Sequence, residues 1–299
     1  MITHAVEHEV IADDGVPLHV EINGDPDAPV TLVMCHGYGL NRASWSFQRG
    51  ALGAFARIVC WDQRGHGRSG YGARDGASID QLGRDLHAVL DQTVPVGPVV
   101  LVGHSMGGMT IMALAAEHPE LFGDRVLGVA LVATSASSVV PHLGVLLNAV
   151  VHRVAGQAVR LLLPLIQLTH RLPCHRPAVR ALARRFAFAS EVSESAVDLL
   201  VDMVASTSPK AMAEVLPQFH SHDKRVALTA LRHVTTLVLV GEKDFITPPG
   251  HSHAIAAELP EADLVVVPEA GHAVMLERPE VVTGWLLDLL DLVAPHRTA

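Results

Sequence analysis

Short runs of Val, Leu and Ile recur along the chain, and each run is apolar at almost every position. Strands of this kind are buried on both faces, as in a parallel sheet that carries helices on each side. Longer stretches with helical spacing follow most of the runs, and this alternation is typical of a doubly wound α/β fold. The predicted strands are 30–35, 57–61, 99–102, 126–132, 235–240 and 262–267, and the predicted helices are 79–93, 106–117, 249–259 and 279–292.

The first residues follow a different pattern, in which apolar and polar positions tend to alternate. Two such runs, 7–12 and 16–22, flank the turn sequence Asp13-Asp14-Gly15. Alternating runs that are joined by a short turn containing Gly predict a β-hairpin. With the six apolar runs, this hairpin predicts a mostly parallel sheet of eight strands.

The alternation of strands and helices stops between residues 136 and 228. This segment has helical spacing and is divided by prolines. It holds 10 Lys and Arg against 6 Asp and Glu, whereas the rest of the chain holds 12 against 25. An insertion past the carboxyl ends of the strands lies over the place where such sheets bind ligands. We therefore expect a core domain of 1–135 and 229–299 with a helical cap of 136–228. The alternative is a segment that only thickens the domain.

The sequence Gly103-His104-Ser105-Met106-Gly107-Gly108 joins the apolar run 99–102 to a predicted helix. A turn this tight between a strand and a helix strains the backbone of its central serine, and the glycines on either side let neighbouring backbone pass. The serine hydroxyl is then presented above the sheet. This context predicts that Ser105 is a nucleophile.

A serine nucleophile needs a base that removes its proton, and the base needs a carboxylate that orients it. His272 follows the last predicted strand and its loop, and Asp244 follows the strand before it. The order Ser, Asp, His is the one expected for such a sheet. We therefore predict His272 as the base and Asp244 as the acid, with Glu242 and Glu269 as weaker candidates for the acid.

The sequence Cys35-His36-Gly37-Tyr38-Gly39 ends another strand, where glycines allow backbone N–H groups to turn inward. We predict that the N–H groups of Tyr38 and Met106 form an oxyanion hole, which stabilises the negative oxygen of an acyl-transfer intermediate. We interpret His36 as a structural residue of this loop. We expect the side chain of His104 to point away from the site, because it directly precedes the nucleophile.

The composition of the chain argues against several classes of protein. A net charge of −9 and a pI of about 6.1 argue against a nucleic-acid-binding protein. Three cysteines give no disulfide framework, and the N-terminal residues lack the apolar stretch of a signal peptide. No run is long enough for a transmembrane helix, so we expect a cytoplasmic protein, with peripheral membrane contact left open.

The motifs of metal, phosphate and cofactor sites are missing from the sequence, and we expect neither a metal nor a cofactor.

These motifs resemble the α/β-hydrolase family over nearly the full length. The resemblance is carried by H-G-Y-G, D-Q-R-G-H-G-R-S, G-H-S-M-G-G, G-E-K-D and G-H-A-V-M-L-E-R-P, in that order. It implies a nucleophile at Ser105, an acid at Asp244, a base at His272 and oxyanion donors at Tyr38 and Met106. It also implies that D-Q-R-G-H-G-R-S is a rigid loop with structural glycines.

Within the family, haloalkane dehalogenases and epoxide hydrolases have a similar layout but use an aspartate nucleophile, which Ser105 argues against. Carbon–carbon bond hydrolases often carry an aromatic residue after the triad histidine, and Ala273 departs from that pattern. The ending A-V-M-L-E-R-P is more similar to monoacylglycerol lipases and carboxylesterases.

The expected function is therefore hydrolysis of small carboxylic esters with lipophilic acyl chains, through an acyl-enzyme. Aliphatic residues crowd the predicted cap, and we predict that Leu143 and Leu147 line an acyl-chain cleft. The cap arginines are candidates for contacts with anionic head groups or carboxylates. Two alternatives stay open. One is another reaction of the same triad, on a thioester, a lactone, a carbon–carbon bond or with peroxide, and the other is a non-catalytic protein that binds a ligand.

Overall fold

The computed structural model describes residues 5–72, 77–139 and 175–294. Within these residues, eight strands form one sheet. The strands are β1 (Val6–Ile11), β2 (Pro17–Gly24), β3 (Thr31–Cys35), β4 (Arg57–Trp61), β5 (Val99–His104), β6 (Val126–Val132), β7 (Thr235–Gly241) and β8 (Asp263–Val267).

The order across the sheet is β1-β2-β4-β3-β5-β6-β7-β8. The strands β1 and β2 form an antiparallel hairpin, and β2 is also antiparallel to β4. From β4 to β8 all neighbouring strands are parallel. The predicted doubly wound, mostly parallel sheet is therefore confirmed, and the strand ends lie close to the predicted ones.

Helices flank the sheet, and each predicted helix of the core is present. Helix α2 begins after Ser78, whose hydroxyl accepts the N–H of Gln81 at 3.1 Å and so caps the helix. The helices of the described residues are α1 (Ser46–Leu52), α2 (Ile79–Thr93), α3 (Met106–Glu117), α4 (His175–Phe186), α5 (Glu194–Ser206), α6 (Pro209–Val215), α7 (Gln218–Ser221), α8 (Leu228–Leu231), α9 (Pro249–Glu258), α10 (Val274–Glu277) and α11 (Pro279–Val293).

Two apolar cores lie on opposite faces of the sheet. Along β5, Val100 and Val102 belong to one core, while Val99 and Leu101 belong to the other. Successive side chains of a strand point to opposite faces, so a strand that is covered on both sides is apolar throughout. The carboxyl ends of the strands, where β5 meets α3, are thereby fixed by packing from both sides.

Between β6 and β7 the regular structure in the described residues is helical, from α4 to α8. The two ends of this stretch meet, because the N–H of Lys224 donates to the carbonyl of Ala136 at 2.7 Å. The predicted cleft residues Leu143 and Leu147 lie outside the described residues. None of the helices in the described ranges is long and apolar enough to cross a lipid bilayer.

Candidate active site

Ser105 lies at the turn between β5 and α3, with φ 53° and ψ −117°. A residue other than glycine rarely adopts a positive φ, and such strain persists only where the surroundings enforce it. Here the N–H of Ser105 donates to the carbonyl of Val132 at 2.9 Å, and its carbonyl accepts the hydroxyl of Thr134 at 2.7 Å. The hydroxyl of Ser105 is thus presented at the carboxyl edge of the sheet.

The glycines two positions either side of Ser105 are required by close backbone contacts. A Cβ atom at Gly103 would lie 2.5 Å from the carbonyl oxygen of Gly107, and one at Gly107 would lie 2.2 Å from that of Cys35. Real Cβ atoms do not approach other atoms this closely. The G-x-S-x-G pattern is therefore a packing requirement of the strained turn.

His272 and Asp244 are hydrogen-bonded, with 2.8 Å between Nδ1 of the histidine and Oδ2 of the aspartate. The backbone N–H groups of Ile246 and Thr247 donate to Oδ1 of Asp244 at 2.8 and 2.9 Å. Burial alone would raise the pKa of Asp244, but His272 and the hydrogen bonds from Thr247 outweigh it and hold the pKa below its ordinary value. Asp244 is therefore an ionised carboxylate that orients the imidazole of His272.

The competing carboxylates do not contact His272. Glu242 is exposed and accepts the N–H of Glu269 at 3.1 Å. Glu269 is also exposed and forms an ion pair with Lys243. Both side chains therefore have surface partners, and of the three candidate acids the one in contact with the histidine is Asp244.

The expectation for His104 is wrong, because its side chain points into the site. Its Nε2 lies 2.9 Å from the carbonyl oxygen of His272, and the two imidazole rings are 4.8 Å apart between centroids. Burial, with the neighbouring His272 as a further cause, lowers the pKa of His104 to about 3, so the ring is neutral. Because a carbonyl can only accept, Nε2 carries the proton. Residues 104 and 105 are adjacent in sequence, yet both line the same cavity, because the strained turn at Ser105 breaks the alternation of side-chain directions along the strand.

The loop after β3 packs directly against Ser105. A Cβ atom at Gly37 would lie 2.6 Å from Nδ1 of His104 and 3.3 Å from Cβ of Ser105. In the described part of the chain, the backbone N–H groups of Tyr38 and Met106 donate to no protein acceptor. Two unpaired donors next to the nucleophile are what an oxyanion hole requires.

Two histidines hold this loop in place. His36 accepts the N–H of Gln63 on its Nε2 at 2.9 Å, and His66 accepts the N–H of Gly39 on its Nε2 at 3.1 Å. Burial lowers the pKa of His36 to about 4 and that of His66 to about 3, so both rings stay neutral and can accept. The loop that carries Tyr38 is therefore tied to the loop after β4.

Ser105 and His272 face one cavity of about 180 Å³, which Tyr38 and His104 also line. Apart from these residues and Thr247, its walls are apolar. Five of the nine apolar residues come from the stretch between β6 and β7, namely Val139, Ala187, Leu200, Val204 and Phe219. The full set of apolar side chains is Leu40, Met109, Val139, Ala187, Leu200, Val204, Phe219, Ile246 and Ala273.

One cluster of the described residues brings metal-ligand types together. Single ligand atoms of Glu7, His19 and Glu21 lie within 4.8 Å of one another. Arg68 pairs with Glu7 at 2.6 Å, and Arg42 pairs with Glu21 at 2.6 Å. Since arginines already balance both carboxylates, the cluster fits a network of ion pairs better than a cation site.

Comparisons with known proteins identify the fold family of the chain. The sequence model of the α/β-hydrolase fold family matches residues 30–279. A 2-hydroxy-6-oxononadienedioate/2-hydroxy-6-oxononatrienedioate hydrolase of Burkholderia vietnamiensis is 35% identical over 121 residues, which are 39% of this chain and 42% of that protein. The chain thus aligns with only about two fifths of the length of the curated relatives it matches first.

Solved structures resemble the chain over almost all its length. A thermophilic esterase from Thermogutta terrifontis has a TM-score of 0.74 at 25% identity, over 98% of this chain and 100% of the other. The enol-lactonase from Burkholderia xenovorans LB400 has a TM-score of 0.75 at 25% identity, over 95% and 100%. With the family match across residues 30–279, these findings show that the chain belongs to the α/β-hydrolase fold family.

Proposed function

We propose that the protein is a serine hydrolase that cleaves carboxylic esters of lipophilic acids through an acyl-enzyme. The observation that carries the proposal is the arrangement of three residues. Ser105, on a strained turn, shares an apolar cavity with His272, and Nδ1 of His272 lies 2.8 Å from Oδ2 of the buried Asp244. A nucleophile, a base and an orienting carboxylate in this order are the parts that acyl transfer needs.

In the first half of the proposed reaction, the hydroxyl oxygen of Ser105 attacks the ester carbonyl while Nε2 of His272 takes its proton. The carbonyl oxygen becomes negative and accepts the N–H groups of Tyr38 and Met106. Asp244 stabilises the imidazolium, which then donates its proton to the leaving alcohol as the bond from carbon to the alcohol oxygen breaks.

In the second half, water attacks the acyl carbonyl and gives a proton to Nε2 of His272. The bond to the oxygen of Ser105 breaks, the serine takes that proton back, and the carboxylic acid leaves. Each oxyanion-hole donor is worth about 3–4 kcal/mol of transition-state stabilisation.

The lipophilic part of the proposal is supported by the walls of the cavity, which are mostly aliphatic beyond the triad. We further propose that residues 136–228 act as a cap, because Leu200, Val204 and Phe219 of this stretch line the cavity above Ser105. Leu143 and Leu147 stay predicted members of the same cleft.

A lactone is the second candidate substrate, because the enol-lactonase from Burkholderia xenovorans LB400 resembles this chain over 95% of its length. A lactone is a cyclic ester and would use the same two half-reactions. The relative from Burkholderia vietnamiensis is a hydrolase of another substrate class, but it matches 39% of this chain.

A panel of substrates tests the proposal. We expect turnover of p-nitrophenyl esters of increasing chain length, and we would compare them with a γ-lactone, a thioester and a vinylogous diketone. A fluorophosphonate probe should label Ser105 in the same preparation. Turnover of the lactone alone would favour the second candidate, and the absence of turnover of every substrate would favour a protein that only binds a ligand.

A further inference from the structure

Helix α4 carries four arginines, and three of them are neutralised by acids of α5. Arg185 is the exception, because it has no carboxylate partner among the described residues. The undescribed residues contribute one acidic side chain, Asp75, and none between 140 and 174. The three neutralised arginines form the pairs Arg176–Asp202, Arg180 with Glu194 and Asp198, and Arg184–Glu194.

Two aromatic rings hold the guanidinium of Arg185. Its Cζ lies 5.3 Å from the ring centre of Phe186 and 5.5 Å from that of Phe245. Both rings are unusually open to solvent for phenylalanine, at 46% and 67% exposed. Stacking on aromatic faces orders an arginine but leaves its N–H groups at the edge free to bind.

The two exposed rings each precede a residue that lines the active-site cavity, and from this we place them beside its entrance. Ala187, which follows Phe186, and Ile246, which follows Phe245, both line that cavity. The carbonyl of Ala187 also accepts the N–H of Ala273 at 2.8 Å, so this side of the entrance is joined to the residue after the triad histidine. Arg185 therefore lies on the His272 side of the entrance.

We propose that Arg185 binds an anionic group, a carboxylate or a phosphate, on the alcohol part of the ester. This inference rests on the proposed function, because His272 protonates the leaving alcohol and the alcohol must therefore lie on its side. The planar guanidinium donates two parallel hydrogen bonds to such a group. A chain with net charge −9 repels anions overall, so an anionic substrate needs a local cation at the entrance.

The test compares phenyl butanoate with 4-carboxyphenyl butanoate and 4-phosphonooxyphenyl butanoate, all of which dissolve without forming micelles. The measured quantity is kcat/KM of each anionic ester divided by kcat/KM of the neutral ester. Comparing this ratio between wild type and variants cancels the difference in leaving-group reactivity. We expect Arg185→Gln to lower the ratio about five- to tenfold for the carboxylate, the phosphate or both, with less than a twofold change for phenyl butanoate. The anionic ester whose ratio falls identifies the group that Arg185 binds.

Arg184→Gln is the matched control, because Arg184 neighbours Arg185 on the same exposed helix but is paired with Glu194. We expect it to leave the ratio unchanged. Salt should lower the ratio in the wild type and not in Arg185→Gln, since screening weakens an exposed charge pair.

The proposal is overturned if Arg185→Gln changes neither ratio by twofold, or if Arg184→Gln lowers a ratio equally. Turnover of phenyl butanoate reports the proposed function separately. If the wild type hydrolyses the neutral ester while the ratios stay fixed, only the role of Arg185 fails. If no ester is hydrolysed, both proposals fail.

Discussion

Nε2 of His104 donates a hydrogen bond of 2.9 Å to the backbone carbonyl of His272. The residue before Ser105 thus holds the loop of His272, while its ring also packs against Gly37 of the loop that carries Tyr38. Because His104 is neutral and fully buried, it adds no charge to the cavity. One side chain therefore contacts both the loop of His272 and the loop of Tyr38, directly beside Ser105.

Replacement of His104 should change catalysis without loss of the fold. His104→Leu keeps an apolar volume but removes the donor to His272, and a displaced base can cost up to about 100-fold in kcat. His104→Gln can still donate from its amide to the same carbonyl, so we expect it to recover most of that loss. The measurements are kcat, KM and the pH profile of kcat/KM with p-nitrophenyl butanoate.

A purely structural role of His104 would give a different result. In that case both variants would lower the melting temperature while kcat and the pH profile of the folded fraction stayed at wild-type values. We instead expect kcat of the folded His104→Leu protein to fall while KM changes little.

The acid of the triad is tested by a matched pair of amide substitutions. Asp244→Asn should lower kcat by about 10⁴, because the amide can no longer hold the imidazole tautomer that accepts the serine proton. Glu242→Gln should leave kcat unchanged, since Glu242 contacts the backbone of Glu269 at the surface. A large loss in Glu242→Gln with a small one in Asp244→Asn would reverse the assignment.

Buried neutral histidines should make the protein sensitive to acid. Burial is the main cause that lowers the pKa of His36 and His222 to about 4 and that of His66 and His104 to about 3. Below about pH 6.5 the unfolded chain binds a proton at each site and the folded chain does not, so stability falls as the pH falls toward 4. Each histidine should contribute up to about 1.4 kcal/mol per pH unit in this window.

Urea unfolding at pH 7.5 and 5.5 measures this loss. His222→Gln keeps a donor for the carbonyl of Ser135, which His222 contacts at 3.0 Å, but cannot titrate. The difference in unfolding free energy between the two pH values should therefore shrink by about 1.4 kcal/mol in this variant. The exposed His253→Gln is the control. If His222→Gln left the pH dependence of the unfolding free energy unchanged, buried His222 would not be a cause of the acid sensitivity.

The apolar cavity should select the length of the acyl chain. Each buried methylene contributes up to about 0.8 kcal/mol, about a fourfold gain in kcat/KM per carbon until the cavity is filled. Leu200→Ala removes part of the cavity wall, which enlarges the cavity and should move the optimal acyl chain to a greater length. Leu182 is exposed, and Leu182→Ala should leave the optimal length unchanged. A profile that peaks at acetate and is unaffected by Leu200→Ala would remove the lipophilic substrate from the proposal.

The sequence predicted the parts of the fold that depend on local pattern. The apolar runs place all six parallel strands, and the glycines around Ser105 predict the tight turn because close backbone contacts leave no alternative. Helix α1 could not be predicted in this way. Its buried positions include Gln48, whose amide donates to the carbonyl of Met275 at 3.0 Å, and a buried polar residue hides the helical pattern.

The contacts around the proposed triad were harder to predict than the meeting of Asp244 and His272. Thr247 donates its N–H to Asp244 and places its hydroxyl 2.9 Å from Oδ2, yet the sequence gives no reason to choose it over other residues of that loop. His104 was assigned the wrong direction, because its contact with the carbonyl of His272 joins residues 168 positions apart. Such contacts follow from how loops at the sheet edge pack against each other.

The activity of Ser105→Ala shows whether Ser105 is the nucleophile. Alanine keeps the Cβ atom at the strained turn, so the variant should fold, with Ser46→Ala as a surface control. We predict that kcat for p-nitrophenyl butanoate falls by a factor on the order of 10⁶ and that fluorophosphonate labelling is lost. Loss of a triad member leaves far less than a hundredth of the wild-type kcat. If a folded Ser105→Ala protein keeps more than about a hundredth of it, Ser105 is not the nucleophile.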